Sequence, residues 1–234
     1  MIEQTDVDAA PVQPIVTMPF APYYDRDGIT IYNADCRKVL PWIEPVDLLL
    51  TDPPYGIGDR WGGGKMTNTK GQTSRLWETD QGDWDKQPAE SWLMQSMIEK
   101  AENAIIWGGN YYSLPPSRCW LTWDKCQTFT GADAELAWTT LDKPVATWRM
   151  ARVEAYKPAK NGGVCKVHPT QKPLGLIQWC IGQAGDVATI LDPFAGSGTT
   201  LVAARLEGRK AIGIEINERY CEAAANRLAQ RTLF

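Results

Sequence analysis

The sequence predicts an α/β protein with a mainly parallel sheet, and three observations carry that reading. Short β-type apolar runs alternate with helix-type segments through most of the 234 residues. Two of the apolar runs, Val46–Leu50 and Ala188–Leu191, lead into aspartate–proline pairs. The second run is followed by a small-residue turn, a helix, and a strand ending in an acid. Open sheets build a ligand crevice from such a unit.

The elements follow in order. Residues 1–22 carry four prolines and little periodicity, and read as a flexible or draped arm. Residues 23–234 read as one domain. Ile29–Tyr32 is a short strand ending at Asn33-Ala34-Asp35, and Cys36–Ile43 fits a short helix. Val46–Leu50 is a buried-strand pattern, stopped by the prolines and glycine of Thr51-Asp52-Pro53-Pro54-Tyr55-Gly56. Residues 56–90 hold seven glycines and little apolar periodicity, the mark of a functional or a disordered loop. Ala89–Glu102 reads as an amphipathic helix with Trp92, Met94, Met97 and Ile98 inward. Ala104–Trp107 and Cys119–Trp123 read as strands, and Ala134–Thr139 fits a strand or a helix. Residues 141–167 are basic and poorly periodic. Leu174–Gly182 is helical and Ala188–Leu191 a strand. Thr199–Glu207 is a helix closing at Gly208. Lys210–Ile214 is a strand with Glu215 at its tip, and Asn217 is placed to cap a last helix through Leu228.

Composition bounds the function. Hydrophobic residues are 44% and charged residues 22%, enough apolar material for one sizeable core. Twenty-four Lys and Arg against 28 Asp and Glu give a net charge of −4, which excludes a histone-like polycation but not local basic patches. No apolar stretch approaches the ~18 residues of a membrane helix, and the acidic start lacks a signal-like apolar segment. The six cysteines are scattered without a CxxC, and there is one histidine, His168. A zinc site is therefore not expected, and reduced thiols in a cytoplasmic protein are. Eleven tryptophans are read mostly as framework, with a few as stacking surfaces.

The turn Asp192-Pro193-Phe194-Ala195-Gly196-Ser197-Gly198-Thr199-Thr200 links a strand to a helix. Its two glycines allow positive φ and close approach of a ligand to the backbone. About twenty residues on, Glu215 is placed to accept ribose hydroxyls. A lone GxG turn can be a plain link, but the whole unit points to a nucleoside ligand. The third glycine of a dinucleotide fingerprint is missing, as is the Gly-Lys-Ser/Thr of a P-loop. A ligand without pyrophosphate fits, and S-adenosylmethionine is one.

Asp52-Pro53-Pro54-Tyr55 ends another buried strand and faces the same crevice. DPPY together with DPFAGSGTT resembles the DNA amino-methyltransferases, which methylate exocyclic nitrogens of adenine or cytosine. With DPPY first and the glycine motif last, the order resembles the permuted beta group, and His168-Pro169-Thr170-Gln171-Lys172-Pro173 resembles its segment before the cofactor motif. The likeness runs from about Ile29 to Leu228.

The resemblance implies a Rossmann-like S-adenosylmethionine-dependent methyltransferase fold. Its seven-stranded, mostly parallel sheet would be ordered 3-2-1-4-5-7-6, with 134–139 antiparallel. It implies cofactor contacts at Asp35 (adenine amino group) with Cys36 beside it, and at Thr170 and Lys172 (methionine carboxylate). Asp192, Phe194, Ala195, Gly196, Ser197, Gly198, Thr199 and Glu215 would complete them. Asp35 alone also fits an N-cap, and Lys172 alone a surface lysine. His168 is read as structural.

The chemistry accounts for the catalytic tetrapeptide Asp52, Pro53, Pro54 and Tyr55. An exocyclic amino lone pair is delocalised into the ring, so the nitrogen is a poor nucleophile. A carboxylate (Asp52) and a carbonyl (Pro53) that accept both N–H hydrogens favour a tetrahedral nitrogen, and two prolines pre-organise them. Tyr55 can stack on a flipped-out base. Methylation at cytosine carbon 5 needs a cysteine nucleophile, which follows a proline in the enzymes that carry out that reaction, and no Pro-Cys pair exists here. Aspartate as the first letter favours adenine N6, with cytosine N4 the alternative. A methylase-like nucleic-acid binding protein without activity is the alternative of another class.

Double-stranded DNA would meet two basic segments. Residues 58–76 carry Arg60, Lys65, Lys70 and Arg75 against one acid, net +3. Residues 143–166 carry six basic residues against one acid, net +5, with Lys143, Arg149, Arg152, Lys157 and Lys160 among them, leaving −12 elsewhere. Segment 141–167 takes the place of a target-recognition region and is short, and a homodimer would supply contacts it lacks.

Overall fold

The computed structural model describes residues 18–57, 66–67, 73–74, 87–127, 132–151, 154 and 171–230. Most of the proposed arm, the glycine-rich loop and the basic segment, with His168 and Thr170, lie outside them.

Nine strands among the described residues form one sheet. They are β1 (Tyr24–Arg26), β2 (Ile29–Asn33), β3 (Val46–Thr51), β6 (Ala101–Trp107), β7 (Trp120–Asp124), β8 (Ala134–Thr139), β9 (Ala146–Arg149), β10 (Thr189–Asp192) and β11 (Lys210–Glu215). β4 (Met66–Thr67) and β5 (Thr73–Ser74) form a separate small hairpin. The sheet order is β1-β2-β11-β10-β3-β6-β8-β7-β9. The seven expected strands take the expected order, and β8 runs antiparallel to both its neighbours. The count is corrected from seven to nine. β1 hairpins onto β2, and β9 pairs in parallel with β7. β9 falls in the segment read as aperiodic because only four residues are in register, half of them exposed.

Strand alternation sends side chains to two cores. Leu48, Leu50, Ile105 and Ile190 pack with α3 (Leu174–Ala184), α4 (Thr199–Leu206) and α5 (Glu218–Ala229). Leu49, Ile106, Leu191 and Ile214 pack with α1 (Cys36–Val39) and α2 (Ser91–Ile98) on the other face. Each fully buried Leu or Ile contributes roughly 1.5–3 kcal/mol, so the central strands are apolar on both sides, as parallel strands must be. Trp107, Trp123 and Trp138 belong to the framework. The helix expected over 89–102 is shorter. It ends at Ile98, since Ala101 already pairs with Val46, and its buried residues are Leu93, Met94 and Met97. Trp92, expected inward, is 54% exposed. Asn217 caps α5, its side chain accepting from the Arg219 amide at 3.0 Å.

β10 and β3 are adjacent, and the chain leaves them in opposite directions, β10 toward β11 and β3 toward β6. Ligands bind open α/β sheets at such a switch point, beyond the carboxyl ends of the strands. Polar pairs tie both ends of this seam. At the amino end Asp47 accepts the amides of Ala188 (2.7 Å) and Thr189 (2.8 Å), which hold its carboxyl below the usual range. At the carboxyl end Thr51 Oγ1 donates to Asp192 Oδ1 at 2.7 Å.

Gly198 (φ +78°) starts α4, and a Cβ there would meet the Ala224 Cβ at 2.6 Å. Gly198→Ala should cost about 1–3 kcal/mol from the left-handed backbone alone. Gly182→Ala, on an exposed face of α3 with open space around it, should be neutral or stabilise by roughly 0.5–1 kcal/mol. Thermal melts of the two variants check the pair.

Candidate active site

The carboxyl ends of β2, β3, β10 and β11 border one cavity of about 580 Å³, within the usual range for small-molecule sites. Asp35, Cys36, Asp52, Pro54, Lys172, Asp192, Phe194, Ala195, Gly196, Ser197, Thr199 and Glu215 line it. Residues from both halves of the chain therefore meet in one place.

The turn after β10 is built for close approach. Gly196 has φ +51°, and no atom outside its chain neighbours lies nearer than 4.0 Å to where its Cβ would be. Gly198 does not line the cavity; it closes the turn against α5. Glu215 binds the turn from β11, accepting the amides of Gly196 (2.9 Å) and Asn217 (2.7 Å), and burial raises its carboxyl pKa. Arg227 of α5 reaches under the turn and donates to the Ser197 carbonyl at 2.5 Å. Burial lowers this guanidinium to about 10. Asp192 is also buried, and burial pushes its carboxyl up to about 6.

The tetrapeptide after β3 is locked on several sides. Pro53 is buried. The Pro54 carbonyl accepts from the Tyr112 hydroxyl at 2.5 Å and the Ala89 amide at 3.3 Å. The Tyr55 ring stacks on Tyr111 (centroids 4.9 Å apart, planes 17° apart). Its edge lies over Gly108 (φ +68°), where a Cβ would come within 2.0 Å of the ring. The Tyr55 hydroxyl donates to Asp52 Oδ1. Burial and the Asp52 charge raise the phenol well above its ordinary value.

A chain of alternating charge continues from Asp52. Lys172 Nζ lies 2.5 Å from Asp52 Oδ2, 3.2 Å from the Tyr55 hydroxyl and 3.2 Å from Glu135 Oε2. Lys125 Nζ lies 2.8 Å from Glu135 Oε1. Burial opposes charge on Lys172, but Asp52 and Glu135 outweigh it and hold the ammonium well above its ordinary pKa. Glu135 behaves likewise in reverse: burial would raise it, but the two lysines bring it down to about 2.

The structure thus gathers ten of the twelve proposed cofactor residues around one cavity, with Gly198 behind it and Thr170 outside the described residues. Lys172 lines the cavity, and its ammonium is also paired with Asp52 and Glu135 within the protein. Asp35 caps α1 through the Arg37 amide and forks onto the Arg37 guanidinium, which lowers its carboxyl pKa. Lys143 has partners within the protein. It donates to the Gln183 carbonyl (2.9 Å) and side chain (2.8 Å) at the end of α3, the sheet edge opposite the cavity. Arg149 ends β9 on the cavity edge and pairs with Asp124 at 3.0 Å. Arg60, Lys65, Lys70, Arg75, Arg152, Lys157 and Lys160 lie outside the described residues. Glu135, Lys125, Tyr111 and Arg227 were missed. Two of them left a signal: Glu135 is a charge inside an apolar strand run, and Arg227 occupies an inward helical position between Ala224 and Leu228.

A mostly parallel sheet with a glycine turn, a strand-tip acid and DPPY on one cavity defines a nucleoside-binding α/β enzyme site. A sequence model of the N6/N4 DNA methylase family matches residues 106–226. The Type II methyltransferase M2.LlaDCHI of Lactococcus lactis subsp. cremoris is 28% identical over 253 aligned positions, covering 88% of this chain and 91% of that one. Among solved structures, the PvuII DNA methyltransferase (cytosine-N4-specific) superposes with a TM-score of 0.60 at 15% identity, covering 93% and 92%. The M1.HpyAVI–SAM complex superposes at 0.55 and 22% identity, covering 85% and 99%. The chain belongs to the adenine-N6/cytosine-N4 family of DNA methylases.

Asp192 sets a pH dependence. Its folded pKa of about 6 lies above the ordinary 3.8, so the folded state holds its proton more tightly. This group therefore favours folding as pH falls from above 6 to below 3.8. A two-unit shift is on the order of 3 kcal/mol. Between pH 7 and pH 4 the wild type should gain stability over Asp192→Asn by that order, measured by denaturant unfolding at each pH.

Proposed function

We propose that this protein transfers a methyl group from S-adenosylmethionine to the exocyclic N6 amino group of adenine in DNA, acting on a base flipped out of the duplex. One observation carries the reading: the DPPY carboxylate and the glycine turn with its strand-tip acid open onto the same cavity. The residues fit the cofactor. The open space at Gly196 accommodates a close ligand, and Glu215, with two oxygens already fixed by backbone amides, keeps lone pairs for ribose hydroxyls. The related fold of M1.HpyAVI was solved as a SAM complex, which supports the same assignment here.

When bound, S-adenosylmethionine supplies an electrophilic methyl group on a sulfonium whose departure leaves a neutral thioether. The protein's part is positional. An ionised carboxylate offers about four acceptor sites. Tyr55 and Lys172 use two on Asp52, which leaves room for an amino N–H. With the Pro53 carbonyl as second acceptor, the nitrogen lone pair is turned toward the cavity. Asp52, which lines the cavity, would accept an N–H of the amino group and would be placed to take the proton that the nitrogen must lose on methylation. Tyr55 offers its ring to the base, with Tyr111 already on one face. Such pre-organisation supplies the larger share of catalysis in reactions of this kind.

Adenine is favoured over cytosine N4 by the aspartate in DPPY, a tendency of the resembled family. The fold does not separate them, since the PvuII enzyme of the same fold is cytosine-N4-specific. The test is transfer of labelled methyl to a panel of duplex DNA, with nucleoside mass spectrometry of the product. N6-methyladenine is the expected product, and N4-methylcytosine would move the target while leaving the site in place. Asp52→Ala should keep cofactor binding by calorimetry and lose transfer by roughly a thousandfold or more. Turnover surviving that substitution would sink the placement of the site.

A further inference from the structure

Lys172 has three N–H donors, and three oxygens surround them: Asp52 Oδ2, the Tyr55 hydroxyl and Glu135 Oε2. The first two belong to the tetrapeptide after β3. The third comes from β8, the antiparallel strand beyond β6, and does not line the cavity. Glu135 is held in turn by Lys125 on its other oxygen. Both lysine side chains are only 8% exposed. The two carboxylates are each about a quarter exposed, and the four groups alternate in sign and sum to zero, which offsets the cost of burying the two ammonium groups.

This geometry restricts Asp52. With all three donors directed, the ammonium cannot rotate, so the Asp52 oxygen it grips cannot rotate either. Asp52 Oδ1 is then the oxygen turned away from Lys172. If Glu135 were absent, Lys172 would keep one carboxylate partner and a donor with no oxygen to meet, and its position would be set by Asp52 and Tyr55 alone.

We propose that Glu135 is a positioning residue for methyl transfer, seating Lys172 against Asp52 so that the carboxylate meets the target amino group in one orientation. The proposal rests on the reading of Asp52 as the acceptor of that amino group. Glu135 touches neither reactant and acts through Lys172.

The test uses the full chain with Glu135→Gln, Glu135→Asp and the double variant Lys125→Met/Glu135→Gln. The double variant removes one charge of each sign, so it keeps the cluster neutral and guards against misfolding. Two quantities are read. The first is methyl transfer, split into kcat and KM across pH. The second is the titration midpoint of Lys172, followed by NMR of isotope-labelled lysine and assigned with Lys172→Arg. The groups facing Lys172 are Asp52, Tyr55, Glu135 and Cys180, with Lys125 behind Glu135.

Glu135→Gln and the double variant should lower kcat by about 10- to 100-fold with KM for DNA little changed. Their Lys172 midpoint and the alkaline limb of kcat should both move to lower pH, because the ammonium has lost one of its two carboxylates. Glu135→Asp should recover most of both effects. Wild-type kcat in the folded double variant, or an unshifted Lys172 midpoint, would overturn the proposal. A wild-type chain that methylates no DNA would remove the methyltransferase reading, and the Lys172 midpoint would still decide whether Glu135 governs this lysine.

Discussion

The contact on which the rest depends is the one between Thr51 and Asp192, across the carboxyl end of the β3–β10 seam. It fixes the heights at which two strands stop. Asp52 follows Thr51 directly, and the glycine turn follows Asp192 directly. A slip of one residue in a parallel register would turn every side chain of a strand to the other face. The Asp47 carboxylate guards against that slip at the amino end, where it takes the amides of Ala188 and Thr189. The separation of the tetrapeptide from the glycine turn is therefore a property of the sheet, not of either loop.

Around this seam the protein handles buried charge in three ways. Asp192 is left with hydroxyl and amide partners and no cation, and burial wins, so its proton is held toward neutrality. Lys172 sits about as deep and Glu135 is a quarter exposed, but both are paired, and pairing wins for both. Arg227 reaches carbonyl and hydroxyl oxygens without a carboxylate, and its basicity drops. Partner type, not depth, separates these outcomes. The result is a site whose ionic part lies on the β6–β8 side of Asp52, while the glycine turn and the strand-tip acid lie on the β10–β11 side.

Much of this was legible from residue order. Val46–Leu50 and Ala188–Leu191 are apolar runs with one polar residue each, at their amino ends, as a strand covered on both faces requires, and each leads to Asp-Pro. Glu215 and Asn217 could be placed because a strand tip and a helix cap are local features. The aspects that were not legible depend on distance along the chain. Lys172 reads as an ordinary basic residue in a motif, and its partners lie 120 residues earlier and on another strand. Trp92 has the spacing of an inward residue, but α2 packs through Leu93, Met94 and Met97, which leaves Trp92 on its exposed side. β9 has four residues and an alternating half-exposed face, so β7 defines it more than its own pattern does. Lys143 reads as part of a basic segment, and charge counting ignores which edge of the sheet a residue occupies.

The sheet order has a consequence for how the chain comes into being. β10 and β11 are translated after the other seven described strands of this sheet, yet they lie near its middle. Before they emerge from the ribosome, the nascent chain can form the β1–β2 hairpin and the block β3-β6-β8-β7-β9, but nothing joins the two. Both β2 and β3 present an open edge until then, and such edges invite mispairing. When β10 and β11 slot between them, the sheet becomes continuous and the cavity closes in the same event. Partial chains thus hold the Asp52–Tyr55 tetrapeptide but no cavity beside it, and the cavity arrives late and all at once.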